Sequence, residues 1–300
     1  MKILVVGGTG MIGGHAALHL AALGHEVTIA GRKPAQPGTP LVDLPYLQGD
    51  YVAETFMRGH LAPFESIVFA AGHDIRHQPE GADFGEHVLH ANGVAVPRFA
   101  GLAKSAGVRR FVHVGSFYPH VAPELVETNA YVRSRKLATD GILALADDTF
   151  DVVGLDAPFV VGTVPGMSLP MFEVYTRYAQ GKLDGMQVFG PAGSTNFIST
   201  LSLSEAIAGA LERAQSGRAY LLGDENLSFA DYFGLFFRAA GSDTAVPSLD
   251  QEHPLLPDSA IYTGRGNRVA YEPDADDAAR LGYRRGDITR AVEEIVRAYA

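Results

Sequence analysis

Apolar residues in the first half of the chain fall into short, near-continuous runs: Ile3–Val6, Val27–Ala30, Ser66–Ala70, Phe111–Val114 and Val152–Leu155. Strands covered on both faces read this way, whereas strands with one wet face alternate, so the runs predict a parallel sheet buried between helices. Longer segments of helical period lie between them, at His15–Leu23, Val94–Ala106 and Tyr131–Ala146. Short β-branched runs alternating with helices are the pattern of parallel α/β units. The second half is less regular. Helices are predicted at Pro170–Gln180 and Ser204–Ala214 and a strand at Arg218–Leu222. Amphipathic helices at Phe229–Ala240 and Ile288–Tyr299 flank a polar, proline-containing stretch from Ser242 to Asp258. No internal repeat or low-complexity tract interrupts the pattern. The change near Val161–Gly166 predicts a main domain of residues 1–162 and 199–223, with a smaller region made of 163–198 and 224–300.

Composition narrows the classes. Three hundred residues suit one large α/β unit or a main domain with a companion. With 47% hydrophobic and 19% charged residues, wholesale disorder is excluded. Thirty-four acidic against 24 basic residues give a formal charge of -10, which counts against a nucleic-acid partner. No apolar run approaches the ~18 residues of a membrane span. The absence of cysteine excludes disulfides, thiol nucleophiles and cysteine-ligated metals. The chain runs straight into the strand Lys2-Ile3-Leu4-Val5-Val6 with no signal-peptide pattern ahead of it, so a cytoplasmic protein is expected.

The first chemical motif follows that strand. Gly7-Gly8-Thr9-Gly10-Met11-Ile12-Gly13 sets glycines in a strand–turn–helix frame. Gly7 permits the turn, Gly10 has no side chain to hold a diphosphate off the backbone, and Gly13 allows the helix to pack close to the sheet. The amides of the turn and the positive end of the helix then suit a dinucleotide diphosphate, although a ligand-free structural turn would read alike. The second strand bears on which dinucleotide. An NAD site ends that strand with a carboxylate for the adenine ribose. Here it ends Ile29-Ala30-Gly31-Arg32-Lys33, and the two cations match a 2′-phosphate. NADP(H) is therefore expected, with NAD(H) as the alternative if Arg32 and Lys33 are only solvated loop residues.

Further motifs appear in a set order: Gly49-Asp50, then Phe69-Ala70-Ala71-Gly72, Asn92 in a helix, Arg110-Phe111-Val112-His113-Val114-Gly115-Ser116 and Tyr131-Val132-Arg133-Ser134-Arg135-Lys136. The order resembles the extended short-chain dehydrogenase/reductase superfamily, which includes epimerases, dehydratases and dihydroflavonol-reductase-like enzymes, over most of the chain. The resemblance implies an α/β, Rossmann-type doubly wound parallel sheet with a smaller, mainly C-terminal α/β substrate-binding region. It implies hydride transfer between a nicotinamide and a carbonyl or alcohol carbon. Tyr131 would be the acid/base, Ser116 the hydroxyl that steadies the substrate oxygen, and the cation of the YxxxK motif the group that tunes the phenol. Asp50, Ala70, Ala71, Gly72, Asn92 and Pro158 would join Gly7, Thr9, Gly10, Met11, Ile12 and Gly13 at the cofactor. A homodimer through Val94–Ala106 and Tyr131–Ala146 is a further family-level expectation.

The motif departs from the family at one place. The fourth residue after Tyr131 is Arg135, and the lysine comes one later, at Lys136. Residues four apart share a helix face, so Arg135 is predicted to face the phenol and Lys136 to turn away. An arginine keeps the charge but does not exchange protons.

The substrate is less legible. Where nucleotide-sugar members carry an arginine for the substrate diphosphate, the matching stretch Gly193–Ser202 has Thr195, though Arg177, Arg265 or Arg268 could compensate. The loop Gly72-His73-Asp74-Ile75-Arg76-His77-Gln78 should border the cavity, with His73 and His77 as hydrogen-bonding groups or auxiliary acids and bases, or plain loop residues. Phe117, Tyr118 and Met167, with Phe172 and Tyr175, would form an apolar wall or ordinary packing. No metal site is expected, and His113 reads as a satisfied core histidine. The leading expectation is an NADP(H)-dependent oxidoreductase for a small or medium, largely apolar carbonyl or alcohol. The rivals are an NAD(P)-dependent epimerase/dehydratase and a catalytically weak dinucleotide sensor.

Overall fold

In the computed structural model, which describes residues 1–300, the main sheet begins with β1 (Lys2–Val6), β2 (Glu26–Gly31), β3 (Tyr46–Gln48), β4 (Ser66–Phe69), β5 (Arg110–Ser116) and β6 (Asp151–Ala157). The smaller strands β7 (Phe159–Val161), β8 (Gly190–Pro191) and β9 (Ser194–Ser199) follow, then β10 (Arg218–Leu221), β11 (Glu225–Ser228) and β12 (Ser248–Leu249). Seven strands join in the order β10-β6-β5-β4-β1-β2-β3, and every pairing is parallel. The chain winds outward from β1 to β3, then returns and winds the other way from β4. The switch between β1 and β4 opens a crevice at their carboxyl ends, where such sheets bind ligands.

The continuous apolar runs divide their residues between two cores. Ile3 and Val5 face the helices Met11–Ala22 and Thr200–Glu212, whereas Leu4 and Val6 face Ala95–Ser105 and Ala130–Leu143. Full burial of each such side chain is worth about 1.5–3 kcal/mol, so both helical layers are held firmly. A third core lies outside the sheet. There Phe172, Tyr175, Phe233, Phe236 and Ile295 join the helices Pro170–Ala179, Phe229–Ala239 and Ile288–Ala298. β9 lies between β11, antiparallel to it, and β7, parallel to it. No helix is long and apolar enough to cross a membrane.

The structure departs from the sequence expectation in three places. β7 belongs to the second sheet, so the handover comes at Pro158, a buried residue with no N–H to extend the ladder, rather than at residue 162. The first helix starts at Met11, not His15, because packing at the sheet overrides the low helix propensity of Gly13 and Gly14. The helix expected from Val94 is continuous with Phe84–Val88 through one wide π turn, Leu89–Val94, which holds Asn92.

Candidate active site

Gly7 leaves β1 with φ +81°, and a side chain there would stand 2.8 Å from the Ala71 amide nitrogen. Gly13 is as tightly placed: a Cβ would meet the Gly7 carbonyl oxygen at 2.4 Å. At Gly10 a Cβ would meet only that carbonyl, at 3.5 Å. The turn is thus closed where it packs on β4 and open at the cap of the helix Met11–Ala22, where the amides of Met11 and Ile12 have no intrahelical partner. This cradle fits an anionic diphosphate. Thr9 lies over the end of β2, leaving no room for a side chain at Gly31. Arg32 and Lys33 follow it, both exposed and neither held in a hydrogen bond or ion pair by its side chain. Asp50 turns Oδ1 onto the amides of Val52 and Ala53.

Ala70, Ala71 and Gly72 continue β4 across the crevice, and Asn92 fixes what comes next. Its amide accepts from the His73 N–H and donates to the His73 carbonyl, both at 2.9 Å, and also donates to Ser134 Oγ at 3.1 Å. Completely buried, Asn92 spends its polar atoms on the protein, fixing the loop that carries Gly72.

The helix Ala130–Leu143, capped by Asn129, carries the next three groups. Arg135 is buried and donates from Nη2 to the Val114 carbonyl at 2.8 Å. Its Nη1 lies 2.5 Å from the position of a Cβ at Gly72, and its Nε has no partner. Lys136 turns out to solvent and pairs with Asp140 at 2.6 Å. Tyr131, one turn before Arg135, has its phenol pKa raised by burial, and Arg135 opposes this most strongly. The Ser116 side chain, at the end of β5, also favours the phenolate, whereas Asp74 disfavours it.

An aromatic wall surrounds this phenol. Tyr262 stacks on Tyr131 with centroids 4.3 Å apart, and Tyr118 meets Tyr262 edge-on at 5.4 Å. Phe117 contacts Tyr118 at 4.3 Å and Tyr271 at 6.2 Å. Tyr262 has no local sequence signal; it lies in an irregular segment anchored by buried Ile261 and Val269. Met167, Phe172 and Tyr175 lie in the cores rather than on the wall, each below 5% exposed.

The loop after Gly72 stacks three imidazoles. His73 is 5.0 Å from His77 and 4.9 Å from His87, and His73 Nδ1 and His87 Nε2 share a hydrogen bond at 2.9 Å. Burial, then the charges of His77, Arg32 and His87, lower the His73 pKa to about 4. This favours a neutral His73 ring, which the sequence left as a hydrogen-bonding group, an auxiliary acid or base, or a plain loop residue. His77 instead bonds Asp74 at 3.0 Å, and Asp74 also receives Arg76 as a fork. Burial would raise the Asp74 carboxyl, but these partners outweigh it and hold it below the usual range. No three acidic or histidine residues are grouped to hold a metal ion.

His113 differs from the sequence expectation: it is completely buried on β5 and neither ring nitrogen makes a well-formed hydrogen bond, so burial and the Arg135 charge keep it neutral against a weak contact with the Phe69 backbone. A buried polar group without a partner costs about 1–3 kcal/mol. We expect His113→Leu to raise Tm by a few degrees. It should also flatten the loss of stability as pH falls below about 6.5, because the folded protein resists a proton that the unfolded chain accepts. Thermal melts across that range check both.

At the position expected to hold the substrate diphosphate, Thr195 is buried and paired with Leu227 across β9 and β11. Of the three arginines that could replace it, Arg265 is engaged by Asp250 and Asp258, and Arg177 is exposed on the helix Pro170–Ala179. Arg268 is exposed beside Ser194 in an isolated bridge.

The profile of the family described as NAD dependent epimerase/dehydratase family matches residues 3–223. No curated protein matches the sequence. Among solved structures, the chain is similar to UDP-glucose 4-epimerase from Bifidobacterium longum in complex with NAD+ and UDP. That match has a TM-score of 0.75 and 18% identity, covering 100% of this chain and 98% of the other. A UDP-N-acetylglucosamine 4-epimerase from Bacillus cereus gives a TM-score of 0.73 at 15% identity, over 100% and 99% of the two chains. An NAD dependent NDP-hexosamine 5,6-dehydratase involved in tunicamycin biosynthesis gives 0.72 at 17%, over 99% and 97%.

Proposed function

From a chain that belongs to the NAD dependent epimerase/dehydratase family, and so to the extended short-chain dehydrogenases/reductases, we propose an enzyme that moves hydride between NADP(H) and a small or medium, largely apolar carbonyl or alcohol. The observation that carries this reading is the Tyr131 phenol at the carboxyl edge of the sheet, with the fixed Arg135 cation and Ser116 both favouring its ionised form. When bound, the dinucleotide supplies the hydride donor or acceptor. Tyr131 gives its proton to the carbonyl oxygen during reduction and takes it back during oxidation. Ser116 donates a hydrogen bond to the same oxygen. Arg135 acts through charge, because a guanidinium does not release its proton at any working pH.

Two features support NADP(H) over NAD(H): no carboxylate ends β2, and Arg32 and Lys33 are both exposed. NADPH is expected to bind at least tenfold tighter than NADH, a difference of ~1.4 kcal/mol, and Arg32→Ala to remove most of the advantage. Fluorescence titration reads both, and tighter NADH binding returns the assignment to NAD(H).

The aromatic wall and the buried Thr195 support an apolar substrate. Arg268, exposed beside Ser194, favours the second reading, a nucleotide-sugar epimerase or dehydratase. NADPH oxidation with a panel of aldehydes and ketones supports the first. Tight UDP-sugar binding without net cofactor turnover supports the second, and neither result leaves a dinucleotide sensor. A homodimer remains part of the proposal, and exposed Val94 and Leu137 lie on the helical segments expected to form it.

A further inference from the structure

A second titratable pair stands beside the proposed site and has no part in the chemistry above. Asp156, near the end of β6, is 2% exposed, and its carboxylate lies across β5 at the residue just before Ser116. A Cβ at Gly115 would be 1.8 Å from Asp156 Oδ1, so that position has no room for a side chain. The carboxylate has two side-chain partners. His120 Nε2 bonds Oδ2 at 2.7 Å, and Thr139 Oγ1 donates to Oδ1 at 3.3 Å. His120 belongs to the short helix Tyr118–Val121, which follows Ser116 and carries Tyr118 of the aromatic wall. Thr139 lies two turns beyond Tyr131 on the helix that also carries Arg135. One buried carboxylate therefore joins the element after Ser116 to the element that bears the phenol.

We propose that His120 is a positioning residue, holding the Ser116 end of β5 against the Tyr131 helix through Asp156. The proposal rests on the reading of Ser116 and Tyr131 given above. A buried carboxylate without a strong partner is costly, and a charged donor is about twice as strong as a neutral one. The groups facing His120 are Asp156 from β6 and Lys136 and Asp140 from the Tyr131 helix, while Tyr271 faces Asp156 from the C-terminal segment. The bond to Asp156 raises the His120 pKa above its ordinary 6.5, against burial and Lys136. The contribution of the imidazolium is thus complete below pH 6.5 and lost as pH rises through the raised value.

Protein labelled with 13C at tyrosine Cζ tests this without a substrate. The Tyr131 resonance is assigned by its disappearance in Tyr131→Phe and followed by NMR from about pH 5 to about pH 9. In the native protein it should shift in step with the His120 imidazole. In His120→Gln, which keeps a neutral N–H donor and does not titrate, it should hold its high-pH position with no step. In His120→Ala it should be displaced at every pH. A resonance indifferent to both variants, or a step that persists in His120→Gln, overturns the proposal. Unimpaired turnover by Tyr131→Phe would instead overturn the catalytic reading.

Discussion

Replacing Tyr131 with phenylalanine is expected to slow hydride transfer by about 10²–10⁴-fold, the usual worth of a positioned acid/base. Dinucleotide affinity and Tm should change little. The ring would still stack on Tyr262, and the cradle at Gly7–Gly13 lies on another element. What disappears is the proton that is transferred to the substrate oxygen. Burial raises the pKa of this phenol, so at neutral pH it is held protonated, as reduction requires. Reduction should therefore lose rate as pH rises through the phenol's pKa, and oxidation should gain rate over the same interval. Single-turnover measurements with NADPH and a responsive carbonyl compound, and with NADP+ and the corresponding alcohol, in the native protein and the variant, read these effects. A variant as fast as the native protein would remove Tyr131 from the chemistry.

The second large effect is structural in origin. Gly13→Ala places a methyl 2.4 Å from the Gly7 carbonyl oxygen and 2.7 Å from its carbon. Both are backbone atoms in a turn already pressed against Ala70 and Ala71, so the helix Met11–Ala22 must move off the sheet. Overpacking of this kind costs about 1–3 kcal/mol, and it displaces the amides that would hold the diphosphate. Cofactor affinity is expected to fall at least 100-fold, roughly 2.7 kcal/mol, with a lower Tm. The control is Gly10→Ala, whose methyl meets only one atom, at 3.5 Å. It should leave Tm unchanged and weaken binding alone. Equal affinity in native protein and Gly13→Ala would remove the turn from the binding site.

The parallel sheet was legible because β1, β4, β5 and β6 each carry a short, largely apolar run, a pattern that burial on both faces favours. Short strands were not. β3 and β7 have three residues each, too few for a period, and their pairing depends on partners distant in sequence. The directions of Arg135 and Lys136 could be read from helix geometry because they depend only on spacing. The same holds for the shape of the glycine turn, which is set by seven consecutive residues. Tyr262, His87 and the His120–Asp156 pair were invisible for the opposite reason. Each acquires its meaning from a neighbour brought to it by the fold, and no local pattern marks such a residue. His113 shows a different limit. Its apolar strand predicted burial correctly, but whether its nitrogens find partners depends on the residues on neighbouring elements.

Tyr262 lies on a loop outside the sheet, yet its ring rests on the residue proposed to handle the proton. The architecture therefore separates two kinds of inheritance. The proposed dinucleotide contacts sit in the turn after β1 and at the carboxyl ends of packed strands, while the ring stacked on Tyr131 is lent by a segment outside the sheet. Should Tyr131 handle the proton as proposed, substitutions in that segment are expected to change which compounds react while leaving the sheet intact.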